Sequence, residues 1–189
     1  RRGGRRSPGG PGQRRRAYLM MTYSQATALL EARKAAGMQM GLERMTAAME
    51  LLGRPQERLR VVHIAGTNGK GSTGAMIRSI LTSAGYRVGG YESPAVTGLR
   101  DIITIGGEGI REERFAALTQ RLLALEPRFE ELGRLTEFEF TTALAYLYFA
   151  EEKTDLCVVE CGLGGRDDAT NVIGPPLTAV LTPVALDHT

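Results

Sequence analysis

Apolar and polar residues alternate along this chain in two rhythms, and the switches between them outline its architecture. Helical spacing runs through residues 23–36 and 42–52, with Gly37 and Gly53 placed to stop each helix and Pro55 reinforcing the second stop. A short apolar run at 59–64 predicts a buried strand. A glycine-rich turn follows, then a helix to about residue 84 with Met76, Ile77, Ile80 and Leu81 on helical spacing before Gly85. Strands are predicted at 86–91 and 102–105, a Gly-rich turn at 106–109, and helices at 112–125 and 137–152. A buried strand at 155–159 ends in Glu160, a polar Gly-rich loop covers 162–171, and a last strand spans 177–182. No internal repeat is evident.

Strands alternating with helices predict an α/β fold: a mostly parallel sheet with flanking helices and right-handed crossovers. Ligands of such sheets sit beyond the carboxyl ends of the strands. The glycine-rich turn follows the first predicted strand, Ser93 the second, Glu160 the fourth and His188 the last. These groups are therefore expected to converge on one site.

The turn itself, Gly66-Thr67-Asn68-Gly69-Lys70-Gly71-Ser72, has the make-up of a phosphate cradle. Glycines let backbone N–H groups approach phosphate oxygens, the helix N-terminus adds positive potential, and Lys70 adds a full charge. The usual P-loop spacing is not met: Ile64 stands at its first glycine, and Gly71 separates Lys70 from Ser72. An ordinary strand-to-helix turn with a solvated lysine is the plainer alternative.

Composition is that of a globular protein, at 42% hydrophobic and 24% charged residues, and 189 residues suffice for one domain or slightly more. The net charge of +3 is misleading. Residues 1–16 hold seven Arg and no acid, and without them the chain carries 17 Lys plus Arg against 21 Asp plus Glu. The Arg/Gly/Pro-rich stretch 1–20 is expected to be a disordered tail, with Met20 and Met21 as alternative starting points. Nucleic acid is not the expected partner, although such a tail could bind it. No apolar run is long enough for a signal peptide or a membrane span. Cys157 and Cys161 fall on one predicted strand, about 13 Å apart, too far for a disulfide, so buried free thiols in a reducing cytoplasm are expected.

Glu160 ends an apolar strand where a magnesium carboxylate would serve, and Ser93, turned out by Pro94, offers a hydroxyl. Magnesium needs few protein ligands when phosphate oxygens and water supply the rest. A solvent-facing strand end and a turn serine are the alternatives. His188 is a second ligand or a loop histidine, and imidazole is not the usual choice of Mg²⁺. His63 reads as a core residue of its strand. Asp168 and Asn171 could hydrogen-bond a polar substrate or simply shape their loop. From residues alone the reading is an enzyme using ATP or GTP with a magnesium site, and the acceptor stays open.

Six motifs in order then carry a resemblance: residues 63–72, Glu92-Ser93-Pro94, Thr136-Glu137-Phe138-Glu139-Phe140, residues 159–166, Asp168-Ala169-Thr170-Asn171 and Leu186-Asp187-His188-Thr189, preceded by Gly41-Leu42-Glu43-Arg44-Met45. Together, from about residue 23 onward, they resemble the folylpolyglutamate synthase/dihydrofolate synthase family of the Mur ligase superfamily. The resemblance implies a P-loop, Mur-ligase-like ATP-binding domain. Its members activate a folate or pteroate carboxylate with ATP, and the acyl phosphate is attacked by the amino group of L-glutamate.

By the resemblance, Gly66 to Ser72 would hold the ATP phosphates, and Lys70, Glu160 and His188 would be catalytic. Ser93, Glu160 and His188 would bind Mg²⁺. Met38, Gln39, Met40, Thr136, Glu137, Phe138, Glu139, Asp167, Asp168 and Ala169 would line the pteroate or folate site. Three departures stand out: Glu92 replaces the family's usual Thr, residues 97–101 lack its common Phe-Asn-Glu run, and Asp167 often corresponds to Leu. Residues 21–189 would be the N-terminal portion of the ATP-binding domain, with the C-terminal glutamate ligase domain absent and the fragment alone inactive. A cytoplasmic monomer acting on small molecules is expected. The alternatives are a Mur-type amino-acid ligase of cell-wall synthesis and a non-catalytic ATP-binding fragment.

Overall fold

The computed structural model describes residues 20–37, 39, 41–94 and 98–185. The tail at 1–19, Met38, Met40 and the terminal Asp187-His188-Thr189 lie outside the described residues, so the expectations placed on them are carried no further by the fold.

Among the described residues, six strands form a single sheet flanked by five α-helices, with β6 largely exposed at one edge. Helices α1 (Tyr23–Arg33) and α2 (Glu43–Leu51) precede strand β1 (Val61–Ala65), helix α3 (Lys70–Ser83) and strand β2 (Val88–Tyr91). Strands β3 (Ile103–Ile105) and β4 (Glu108–Gly109), helices α4 (Glu112–Leu123) and α5 (Glu137–Glu151), and strands β5 (Leu156–Glu160) and β6 (Thr178–Leu181) complete the order. The sheet runs β4-β3-β2-β5-β1-β6. Strands β2, β5, β1 and β6 are parallel, whereas β3 and β4 are antiparallel to their neighbours. The 106–109 segment expected as a turn thus also supplies β4, because Gly106 and Gly107, both at positive φ, close a hairpin that lets Glu108 pair with Ile105.

Alternation along β5 assigns its two faces. Leu156 and Val158 join Ile64 and Val88 under Ile77 and Leu81 of α3. Cys157 and Val159 point the other way, into the larger core around α5 with Phe140, Tyr146 and Phe149. Cys161 lies just past the end of β5 rather than within it, and both thiols are free and buried. Burial pushes each thiol up to about 12, so neither is a thiolate at neutral pH.

Of the four apolar positions that marked α3 in the sequence, Ile77 and Leu81 pack on the sheet, but Met76 and Ile80 are 59% and 68% exposed. A helix turns about 100° per residue, so these adjacent rows cannot share one contact face. Helix α5 is apolar nearly all round because it lies in the core. Its buried tyrosine neighbours are satisfied: Tyr91 Oη bonds Thr141 and Thr142, and Tyr146 Oη donates to the Thr170 carbonyl at 2.6 Å. No described helix is long and apolar enough to cross a membrane.

Candidate functional site

Because β1, β2, β5 and β6 run parallel, their carboxyl ends share one edge of the sheet, and the polar candidates gather there. Gly69, at φ 84°, caps the start of α3 with no side chain bonding to its first amides. The opening N–H groups of a helix have no intrahelical acceptor. The amides of Lys70, Gly71 and Ser72 therefore present an electropositive end suited to an anion. This end faces a cleft of about 260 Å³ lined by Ala65, Gly66, Thr67, Lys70, the 161–164 segment and Val184.

The remaining residues of the glycine-rich turn have other work. Thr67 and Asn68 donate their backbone N–H groups to the Pro183 carbonyl at 3.0 and 3.3 Å, and Thr67 Oγ1 bonds both backbone groups of Ala185. Gly66, at φ 135°, has no room for a side chain: a Cβ there would fall 2.1 Å from Thr182 Oγ1. The first half of the turn thus fastens β1 to the chain leaving β6, and the second half opens α3.

Glu160 ends β5 beside Lys70, which lines this cleft. Lys70 Nζ lies 3.7 Å from its Oε1, with side-chain exposures of 16% and 11%. Burial pushes the Glu160 carboxyl above the usual range, an effect opposed by Lys70 and Arg78 and reinforced by Glu92. A half-desolvated carboxylate facing one ammonium retains lone pairs for a cation. Glu92 follows the Tyr91↔Val159 pair by one residue, which sets it beside Glu160, and half-buried Ser93 comes next.

A second cleft, of about 210 Å³, adjoins the first. Lys34, Gln39, Gly41, Thr136 to Glu139, Leu163 and Asp167 to Ala169 line it. Leu163 is common to both, so one loop separates the two clefts. The Phe138 ring enters because Gly162 leaves space: a Cβ at 162 would lie 2.6 Å from Phe138 Cζ. Burial also pushes the Glu137 carboxyl up, opposed by the Lys34 ammonium.

Not every residue expected in this pocket has a free polar group. Thr136 and Glu139 form a capping box that starts α5: Thr136 Oγ1 accepts the Glu139 N–H at 3.2 Å, and Glu139 Oε2 accepts the Thr136 N–H at 2.7 Å. Arg44 holds the same carboxylate with its Nε 3.1 Å from both oxygens, and its Nη2 reaches the Gln39 carbonyl. Asp168 is likewise occupied: it accepts from Leu163 N, Thr170 N and Thr170 Oγ1. These carboxylates shape the walls, and Glu137, Asp167 and Gln39 also line the cleft. Arg44 was visible in the sequence only as part of an opening helix motif, since its partner lies 95 residues away. Replacing Arg44 with Met leaves Glu139 buried beside an apolar chain, and we expect a loss of about 3–5 kcal/mol in urea unfolding. A loss within experimental error would contradict this account of the wall.

His63 Nε2 contacts Thr170 Oγ1 at 2.8 Å. The Thr170 hydroxyl donates to the Asp168 carboxylate, so His63 supplies the proton to that oxygen and is the Nε2–H tautomer. Burial lowers the His63 pKa, partly offset by Asp168. A depressed folded pKa means that stability present above the ordinary value of about 6.5 is lost as pH falls through the folded pKa. Thermal unfolding of His63→Gln should show a flatter slope than wild type below that pH, and an unchanged slope would assign the effect elsewhere.

No protein-family model matches the chain. Individual relatives do. The dihydrofolate synthase/folylpolyglutamate synthase of Bacillus subtilis is 43% identical over 176 residues, covering 90% of this chain and 40% of that protein. The apo form of the folylpolyglutamate synthase (FPGS) of L. casei superposes with a TM-score of 0.82 at 36% identity, over 89% of this chain and 42% of the other. A solved complex of FPGS with AMPPCP and folate gives a TM-score of 0.81 at 36% identity, with the same coverage. The chain thus spans about two fifths of the length of these relatives.

Proposed function

We infer that this chain, which by its relatives belongs to the folylpolyglutamate/dihydrofolate synthase family over the part it spans, contributes the phosphate-holding end and the pterin pocket of an ATP-dependent folate–glutamate ligase. The observation that carries this reading is the pair of adjoining clefts sharing Leu163. One meets an uncapped helix N-terminus with Lys70 and Glu160, and the other is lined by Phe138 and a polar rim. Such adjacency lets a carboxylate in the second cleft reach a phosphate in the first, as acyl phosphate formation requires.

In the first cleft the amides of Lys70, Gly71 and Ser72 and the Lys70 ammonium would bind and orient the terminal phosphates of ATP. No cluster of three or more His, Cys, Asp or Glu exists among the described residues. A hard cation that takes most of its ligands from phosphate and water still fits the Glu160 carboxylate and Ser93 hydroxyl, and Mg²⁺ is such a cation. When bound, it would neutralise phosphate charge in the transition state. His188 would add a ligand if the terminal segment folds back to this edge. In the second cleft Phe138 would stack against a pterin, while Gln39, Glu137 and Asp167 offer hydrogen-bonding groups. Met38 and Met40 flank Gln39 in sequence and would extend that wall. A cytoplasmic monomer is part of this reading.

The full-length protein, given ATP, Mg²⁺, L-glutamate and either dihydropteroate or tetrahydrofolate, should release phosphate and form a new amide. Absence of product with both pterins would refute the ligase reading, and ATP binding without product would favour a non-catalytic nucleotide site.

A further inference from the structure

Beside the proposed cation carboxylate lies a charge that the reading above does not use. Glu92 neighbours Glu160 across the β2–β5 register, and an acidic pair at this point would compete for one cation. Glu92 is not free, however. Arg78, two turns into α3 from Lys70, reaches across the sheet and places Nη2 2.8 Å from Glu92 Oε2.

The Arg78 side chain runs close over two glycines, and its route depends on one of them, Gly90. Gly90 lies directly beneath it: a Cβ at 90 would fall 2.6 Å from Arg78 Cδ. Gly74, the only buried residue of α3, has Arg78 Nη1 3.5 Å from where its Cβ would be. The Arg78 side chain is 18% exposed, so the guanidinium is held between helix and strand rather than ranging over the surface. The Glu92 backbone N–H donates to the Ile102 carbonyl at 3.1 Å, which fixes the residue from its other side. Glu92 is thereby the last doubly anchored residue before Ser93.

We propose that Arg78 is a positioning residue for the nucleotide–cation site: its ion pair with Glu92 withdraws that carboxylate from the cation and leaves Glu160 as the one carboxylate offered to it. The proposal rests on the assignment of Glu160 as a cation ligand. Two consequences separate it from a purely structural role. In Arg78→Met the Glu92 carboxylate is released, and the site gains a second negative group. In Glu92→Gln the guanidinium loses its partner and turns its charge on Glu160, opposing a cation.

The test measures Mn²⁺ affinity by electron paramagnetic resonance in the full-length protein, with and without a non-hydrolysable ATP analogue, and checks folding by thermal unfolding. Relative to wild type, Arg78→Met should bind nucleotide-free Mn²⁺ more tightly, on the order of tenfold, and Glu92→Gln more weakly by a similar factor. The double variant Arg78→Met/Glu92→Gln should return to near the wild-type value. Weaker Mn²⁺ binding in both single variants, or no change in either, overturns the proposal even if the analogue still binds. Failure of wild type to bind the analogue with Mn²⁺ would instead remove the nucleotide-site reading and this inference with it.

Discussion

Lys70→Ala in the full-length protein is expected to lower kcat/KM for ATP by about 10²–10³-fold, comparable to removing one preorganised donor from a transition-state site. The side chain lines the cleft at the start of α3 and is largely shielded from water. Its charge is therefore less screened than that of a surface lysine. Removal has a second effect, since Glu160 loses the ammonium that offsets its burial. Steady-state phosphate release, with equilibrium binding of an ATP analogue, reads both effects. Unchanged affinity and turnover in a folded variant would mean that Lys70 only closes a turn.

Glu160→Gln should produce the other large effect: a loss of metal-supported nucleotide binding together with a gain, or no loss, in the stability of the ligand-free protein. The carboxyl is pushed up by burial. A group with a raised folded pKa contributes stability that is fully present below its unfolded value, about 4.3 for Glu, and that is lost as pH rises through the folded pKa. The ionised form of Glu160 is thus a stability cost, which the neutral amide removes. A destabilised site that serves binding is the expected pattern for a functional carboxylate. Wild-type metal-dependent binding should weaken as pH falls through the raised pKa, where protonation removes the negative charge, and the glutamine variant should lack that limb. A variant that is less stable in the absence of ligand, with metal dependence intact, would assign Glu160 to structure alone.

Much of this was legible in the sequence because the relevant interactions are short-range. A continuous apolar run placed β5, and a glycine at positive φ closed α1 and α2 near Gly37 and Gly53. The T-x-x-E signal at Thr136 and Glu139 was equally local and marks the start of α5, a role that the resemblance to a pterin-binding motif overshadowed. Helical spacing placed α3 but could not say which of its apolar rows the sheet covers, because it counts apolar residues without knowing how wide that covered face is. The hairpin at β3 and β4 was half-read, since a two-residue strand carries no period.

The order of helices and strands, the chemistry at the end of each, and the pairing of an amide-rich turn with an ammonium were already readable from the residues, because these depend on positions within a few of one another. Only the tertiary structure decided which groups remain available. It diverted the Thr67 and Asn68 amides to Pro183, locked Glu139 to Arg44, buried Asp168 in its own loop and set Arg78 against Glu92. Most of those partners meet through strand register and loop packing rather than through proximity in the chain. Whether a polar atom faces a ligand or a neighbour is settled by what the fold brings within about 3 Å of it.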